Sequence, residues 1–210
     1  MQNNLQKLYE SHQESGKEGF ALWEKERGNI FSRWIGKNKK VLDLGCRDGT
    51  LTKYYTSGND VLGVDIDKRL LTKARKDLGI RTKHVNLLEN WKIKEKFDVI
   101  VAGEVLEHLY YPQKIIAKCA NYLKKDGLLL VSVPNAYIIS SRVRFLFCRE
   151  IPAHHDPTHI NLFSEKKLRT MLLSHFRKVE LTGIAPPAYK FMHFLSDSLF
   201  SDDLLARARK

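Results

Sequence analysis

The chain has 210 residues, 43% of them hydrophobic, which is enough to fill an α/β core and too much for a disordered segment. Lys and Arg total 36 against 24 for Asp and Glu, a formal charge of +12 that favours anionic partners, although the basic residues are scattered over strand entrances and helix ends where lysines are ordinarily solvated. No apolar run reaches the ~20 residues that span a bilayer, the first residues lack a basic-then-apolar leader, and three widely separated cysteines (Cys46, Cys119 and Cys148) suit a reducing cytoplasm better than a disulfide framework.

In chain order, residues 18–35 read as an amphipathic helix with Phe20, Trp23, Ile30, Phe31 and Trp34 on its buried side. With Tyr9 and His12 on a polar stretch before it, this helix belongs to an N-terminal arm, 1–38. Strands are predicted at 40–46, 60–66, 81–86, 97–103, 127–133, 176–183 and 203–210, with helices at 49–57, 68–78, 112–124 and 164–175 and a short one within 187–200. Alternating βα units imply a single α/β domain over 1–210, a doubly wound, mostly parallel sheet buried on both faces. Residues 135–163 form the one long irregular connection. They mix Ile138, Val143, Phe145, Leu146 and Phe147 with Arg142, Arg144 and Arg149, then run through IPAHHDPTH. A connection this long in a compact domain is ordinarily a functional loop, and it leaves the carboxyl end of a strand, so it is expected to be a substrate lid.

The densest signal is VLDLGCRDG at Val41–Gly49, followed by Asp65 in VLGVDID. A buried strand leads into glycines that let the backbone turn tightly against a ligand, and a second strand delivers a carboxylate where doubly wound sheets meet ribose hydroxyls. The spacing is not the G-x-G-x-x-G of a dinucleotide site, and Asp48 at the helix start would repel a pyrophosphate. A cofactor with an adenosine and no phosphates, S-adenosylmethionine, suits the loop better.

On these residues the chain resembles the class I S-adenosylmethionine-dependent methyltransferases, whose first motif is E/D-x-G-x-G-x-G. Asp43-Leu44-Gly45-Cys46-Arg47-Asp48-Gly49 matches except at Arg47. Further matches are the fourth strand and its loop (Phe97–Leu109), the turn Lys124–Gly127 with the following LLLVSVPN, and His159–Ser164, which is similar to the end of the lid in ubiquinone-biosynthesis-like small-molecule enzymes. The resemblance implies a seven-stranded Rossmann-like sheet with an antiparallel last strand. It implies that Gly45 and Gly103 bring backbone to the methionine part of the cofactor and that Asp43 orients its amino group. It also implies that Asp65 accepts the ribose hydroxyls, with Cys46 in the loop beside the cofactor and Ile66 against the adenine. Asn86-Leu87 stands where the family has Asp-Leu. Three residues are candidates for a base on the acceptor: His108 and Glu104 after the fourth strand, and His159 at the end of the lid.

The expected activity is methylation of a small molecule or sugar, on oxygen, without a metal. A set drawn from His154, His155, Asp156 and His159 is argued against by Pro157 between the histidines. Two alternatives stay open. An RNA methyltransferase would use the charge, but an N/D-P-P-Y/F motif is lacking after the fourth strand. A cofactor-binding protein without catalysis would follow if Arg47 spoils the loop, since a positive φ there costs on the order of 1 kcal/mol. The Tyr110-x-x-x-Lys114 pattern of short-chain dehydrogenases follows the wrong strand, and Pro112 starts a helix there. Oligomeric state leaves no mark in the sequence.

Overall fold

The computed structural model describes residue 19 and residues 21–150, 156 and 158–210. Tyr9, His12, Phe20, His154, His155 and Pro157 lie outside the described residues. The chain divides into two compact units, one of residues 1–101 with 122–124 and one of 102–121 with 125–210. Seven strands form one sheet, as the sequence leads one to expect, in the order β3-β2-β1-β4-β5-β7-β6.

In the first unit, β1 (Lys40–Leu44) pairs parallel to β2 (Asp60–Asp65), with Leu42 opposite Leu62 and Leu44 opposite Val64. β2 in turn pairs parallel to β3 (Arg81–His84). Val41, Leu42, Leu44 and Val64 are fully buried, as a strand covered on both faces requires. Helix α2 (Lys68–Leu78) begins where the Asp67 carboxylate accepts from the amides of Arg69 and Leu70, and stops at Gly79 in the left-handed region.

Helix α1 (Glu24–Ile35) turns a different stripe inward from the one expected: Arg27, Gly28, Phe31 and Ile35 are buried, while Trp23, Ile30 and Trp34 are only half-buried. The cause is Gly28, where a Cβ would fall 2.3 Å from the Tyr54 ring, so the aromatic ring lies directly on the helix backbone. Glu24 pairs with Lys53 at 2.6 Å and accepts from the Tyr54 hydroxyl, fixing α1 to the segment after the glycine loop. That segment is a single 3-10 turn, Thr52–Tyr55, where a full helix over 49–57 is predicted.

In the second unit, β5 (Leu123–Pro134) and β6 (Lys178–Ile184) both pair antiparallel to β7 (Asp203–Arg209), which lies between them. β4 (Phe97–Gly103) ends in this unit and leads to a 3-10 turn at Leu106–His108 and helix α3 (Pro112–Tyr122). β5 starts at Leu123, so the Lys-Lys-Asp-Gly read as a turn is strand, with Asp126 at φ 59° marking a local bend. The predicted lid contains a helix, α4 (Ile139–Leu146), anchored by buried Ile138 and Ser141, while Phe145, Leu146 and Phe147 are exposed. Helix α5 (Glu165–Leu173) follows, with Ser164 accepting from the Lys167 amide at its start, and α6 (Asp197–Phe200) precedes β7.

Candidate active site

The first unit gathers buried carboxylates at the carboxyl ends of β1 and β2. Asp43, Asp48, Asp65 and Asp67 are all almost wholly inaccessible, in a chain whose charge is otherwise strongly positive. The Asp43 carboxylate accepts hydrogen bonds from the hydroxyls of Thr52 at 2.6 Å and Tyr55 at 2.8 Å. Burial pushes it up to about 6, against the pull of those two bonds. Asp65 receives the Arg47 amide on one oxygen and the Asp67 amide on the other. Burial raises it as well, opposed by those amides. Each carboxylate oxygen has a second lone-pair site, so Asp65 can still accept hydroxyl donors.

The loop that carries them turns at Gly45, φ 67°, where its amide and that of Cys46 both donate to the Val64 carbonyl. Arg47 has φ 53°, so the departure from the usual glycine does sit in the left-handed region. Cys46 packs over β2 at Gly63, where a Cβ would fall 2.6 Å from its sulfur. Asp48 is turned inward: it accepts the Gly19 amide and both the amide and hydroxyl of Thr50, with Lys73 at 3.4 Å. Burial raises its pKa, but the Thr50 and Gly19 bonds outweigh burial and hold it low.

Asn86 makes a local turn, its side-chain oxygen accepting from Leu88 and its amide donating to Glu89. The next loop is pinned by Trp91, buried, stacked on Tyr122 at 5.0 Å and donating to the Leu87 carbonyl. Ile66 and Leu87 are half-buried, and the Ile66 carbonyl meets His84 Nε2 at 2.8 Å.

The second unit holds a separate polar cluster. Gly103 and Glu104 are half-buried at the end of β4, with Glu104 at φ 57° and its amide donating to the Ser132 carbonyl. A non-glycine residue held there is strained, a feature that concentrates at functional sites. Beyond it, His108 and His159 face one another with ring centroids 4.9 Å apart. His108 Nδ1 lies 2.9 Å from the Thr158 hydroxyl and 3.1 Å from the Thr158 carbonyl. The carbonyl can only accept, and the hydroxyl spends its proton on Asp156 at 2.6 Å. Nδ1 therefore carries the proton and a neutral His108 has its lone pair on Nε2. That nitrogen is 3.7 Å from buried Glu107, and His159 Nε2 is 3.8 Å from Asp156. The amides of Ile160 and Asn161 both donate to the Glu107 carbonyl, tying the end of the lid region to the turn after β4. Among the described residues, Glu107, His108 and His159 have ligand atoms within 4.8 Å of one another. Such a set can exchange protons or take a divalent cation.

The structure thus brings His108 and His159 together within their unit and places Asp43, Gly45, Cys46 and Asp65 together in the other. Sequence reasoning gave no role to Glu107 or Thr158, weighed Asp156 only as a metal ligand, and missed Thr52 and Tyr55, which hold Asp43. The adjacency of Glu107 and His108 was the available signal for the first; the others are contacts that only folding creates.

The donor set fits a ligand carrying positive charge and vicinal hydroxyls: buried acids, two of them with burial-raised pKa, and a tight glycine turn. It does not fit a pyrophosphate. Residues 17–175 match the family described as Methyltransferase domain. Among curated proteins, the ubiquinone biosynthesis O-methyltransferase of Glaesserella parasuis is 38% identical over 110 residues, 46% of this chain and 46% of that protein. The chain spans about half the length of the curated relatives it matches. Among solved structures, a SAM-dependent methyltransferase from Archaeoglobus fulgidus superposes with a TM-score of 0.71 at 18% identity, covering 92% of this chain and 97% of that one. The N-methyltransferase NodS from Bradyrhizobium japonicum, solved with S-adenosyl-L-homocysteine, gives 0.64 at 20% identity over 90% of this chain and 87% of its own.

Proposed function

The chain belongs to the methyltransferase-domain family, and on that premise we propose that it transfers a methyl group from S-adenosylmethionine to a hydroxyl of a small molecule or sugar. The observation that carries the cofactor assignment is the buried acid cluster Asp43–Asp65 around a glycine turn. When bound, S-adenosylmethionine supplies a methyl group on a sulfonium, an electrophile that needs no metal. Asp65 accepts the ribose hydroxyls on its remaining lone pairs. Ile66 covers one face of the adenine, and Asn86 with Leu87 borders its edge. Gly45 and Cys46 give backbone to the methionine end, and Asp43 orients the amino group through water.

The choice of oxygen is supported by the name of the Glaesserella relative, and by an imidazole able to take a hydroxyl proton. His108 is that base, its Nδ1–H held by Thr158 so that the lone pair sits on Nε2. His159 and Glu104 border the acceptor. Residues 135–163 act as its lid within a single catalytic domain of 1–210. Nucleic acid is not the partner, and a reducing cytoplasm suits the free cysteines. Among the described residues no helix is long and apolar enough to cross a membrane.

The strained Arg47 favours one competing reading, a family member that binds the cofactor without catalysis. Calorimetry with S-adenosylmethionine and a labelled-methyl assay on fractionated extract separate the two. Asp65→Ala is expected to weaken cofactor binding at least about tenfold, the equivalent of ~1.4 kcal/mol. His108→Gln should lower turnover far more than affinity, and transfer should persist in EDTA. Unchanged affinity in Asp65→Ala removes the ribose assignment. Binding without any labelled product establishes the non-catalytic reading.

A further inference from the structure

Among the described residues, several surface acids are paired with cations. Lys40 and Arg81 share Glu95, Arg81 also holds Asp60, Lys53 holds Glu24, and Lys124 holds Asp98. Arg177 holds Asp126, and Arg207 pairs with Glu180. Elsewhere three cations gather around a single acid. Within the second unit, at the carboxyl end of β5, a cavity of about 350 Å³ is lined by Arg142, Lys166 and Arg169 together with Tyr137 and Ser164, over a floor at Asn135.

Only one carboxylate lines it. Glu165 holds Arg169 at 3.0 Å, and the other end of that guanidinium donates to the Val179 carbonyl. Arg142 donates through Nε to the Tyr137 carbonyl at 2.8 Å, which fixes the guanidinium. Its two terminal nitrogens, the pair that binds an oxyanion side-on, meet no carboxylate among the described residues, and neither does Lys166. Arg142 and Lys166 are exposed at the rim and Arg169 is half-buried, so water screens their mutual repulsion, and a small anion entering the concavity meets all three.

The floor is rigid. Asn135 is buried, donates to the carbonyls of Ser198 and Ser201, and accepts from the Tyr137 amide. The start of α5 is already capped by Ser164, so side-chain cations and hydroxyls, and not the helix end, define the site. One wall comes from α4 in the lid region and the other from the first turn of α5.

We propose that this cavity binds the phosphate or carboxylate group of a small anionic molecule, with Arg142 and Lys166 as its principal ligands. If the methyl-transfer reading holds, this group anchors the acceptor. That last step rests on the proposed function, while the anion site itself does not.

The test is calorimetry on the full chain without cofactor, using inorganic phosphate, glucose 6-phosphate and glucuronate as probes. Saturable binding with a Kd on the order of 1 mM is expected for at least one of them. The phosphate and glucuronate arms tell a phosphoryl preference from a carboxylate one. Arg142→Gln with Lys166→Gln should weaken binding at least about tenfold, whereas Lys190→Gln, outside the lining, should leave it unchanged. Added salt should weaken wild-type binding more than that of the double variant. No saturable binding of any probe, or binding that the double variant retains, overturns the proposal. An intact anion site in a protein that fails to bind S-adenosylmethionine would instead count against the methyl-transfer reading alone.

Discussion

Asp43, proposed to orient the cofactor's amino group, is kept at a cost to the fold. Wholly buried, it is raised to about 6 from an ordinary value of 3.8. A carboxyl raised by folding contributes stability below about pH 4, and that stability is lost as pH climbs through 6. At about 1.4 kcal/mol per pKa unit, the ionised form costs about 3 kcal/mol above that window. Asn in its place can still accept from Thr52 and Tyr55 and carries no charge to desolvate. Asp43→Asn should therefore raise the midpoint of thermal unfolding by about 5 °C or more at pH 8 and by little at pH 4, while weakening S-adenosylmethionine binding at pH 8. Melting curves and calorimetry at both pH values check this; an equal shift at both would remove the ionisation argument. Arg47 could be read as a departure from the glycine pattern, and its φ of 53° was the conditional expectation the structure met. The Thr52 and Tyr55 bonds to Asp43 were not legible, because hydroxyls nine and twelve residues away meet a carboxylate only once the 3-10 turn has formed.

Among the elements, those set by local chemistry were legible to the residue. Helix α2 has an Asp cap, an apolar stripe and a terminal glycine, and β4 is an unbroken apolar run; both fall where predicted. The segment after the glycine loop was misjudged because Asp48 takes the Thr50 amide and hydroxyl, a local bond that competes with helical pairing. α1 was found but rotated, since periodicity cannot register that a bare glycine invites a ring from another segment. The stretch proposed as a lid was legible as a long connection, and its helix was not, because α4 exposes the very residues, Phe145 and Leu146, that would be expected to face inward. Because Ile138 and Ser141 anchor α4, an informative truncation spares them. Replacing residues 144–150 with a short Gly-Ser linker should leave S-adenosylmethionine affinity within about twofold and reduce transfer at least about tenfold. Loss of affinity in a folded variant, read by calorimetry beside circular dichroism, would put the lid in the cofactor site.

On the scale of the whole molecule, the charge of +12 is distributed along the chain, and among the described residues several of its cations are paired with acids. Counterion release needs many cations along one phosphate track. Filter binding of a short RNA at 150 mM salt should give a Kd no tighter than about 1 µM, with a shallow salt slope. Tight, steeply salt-dependent binding would favour the RNA reading. The sheet order carries a different implication, for the ribosome. β6 is an edge strand whose one neighbour is β7, and β7 also separates it from β5. Residues 178–184 thus leave the exit tunnel before the strand that will seat them, with Gly183 awaiting Ser201, which packs where its side chain would be. Until Asp203–Arg209 arrives to be threaded between two waiting partners, the nascent chain displays two unsatisfied strand edges.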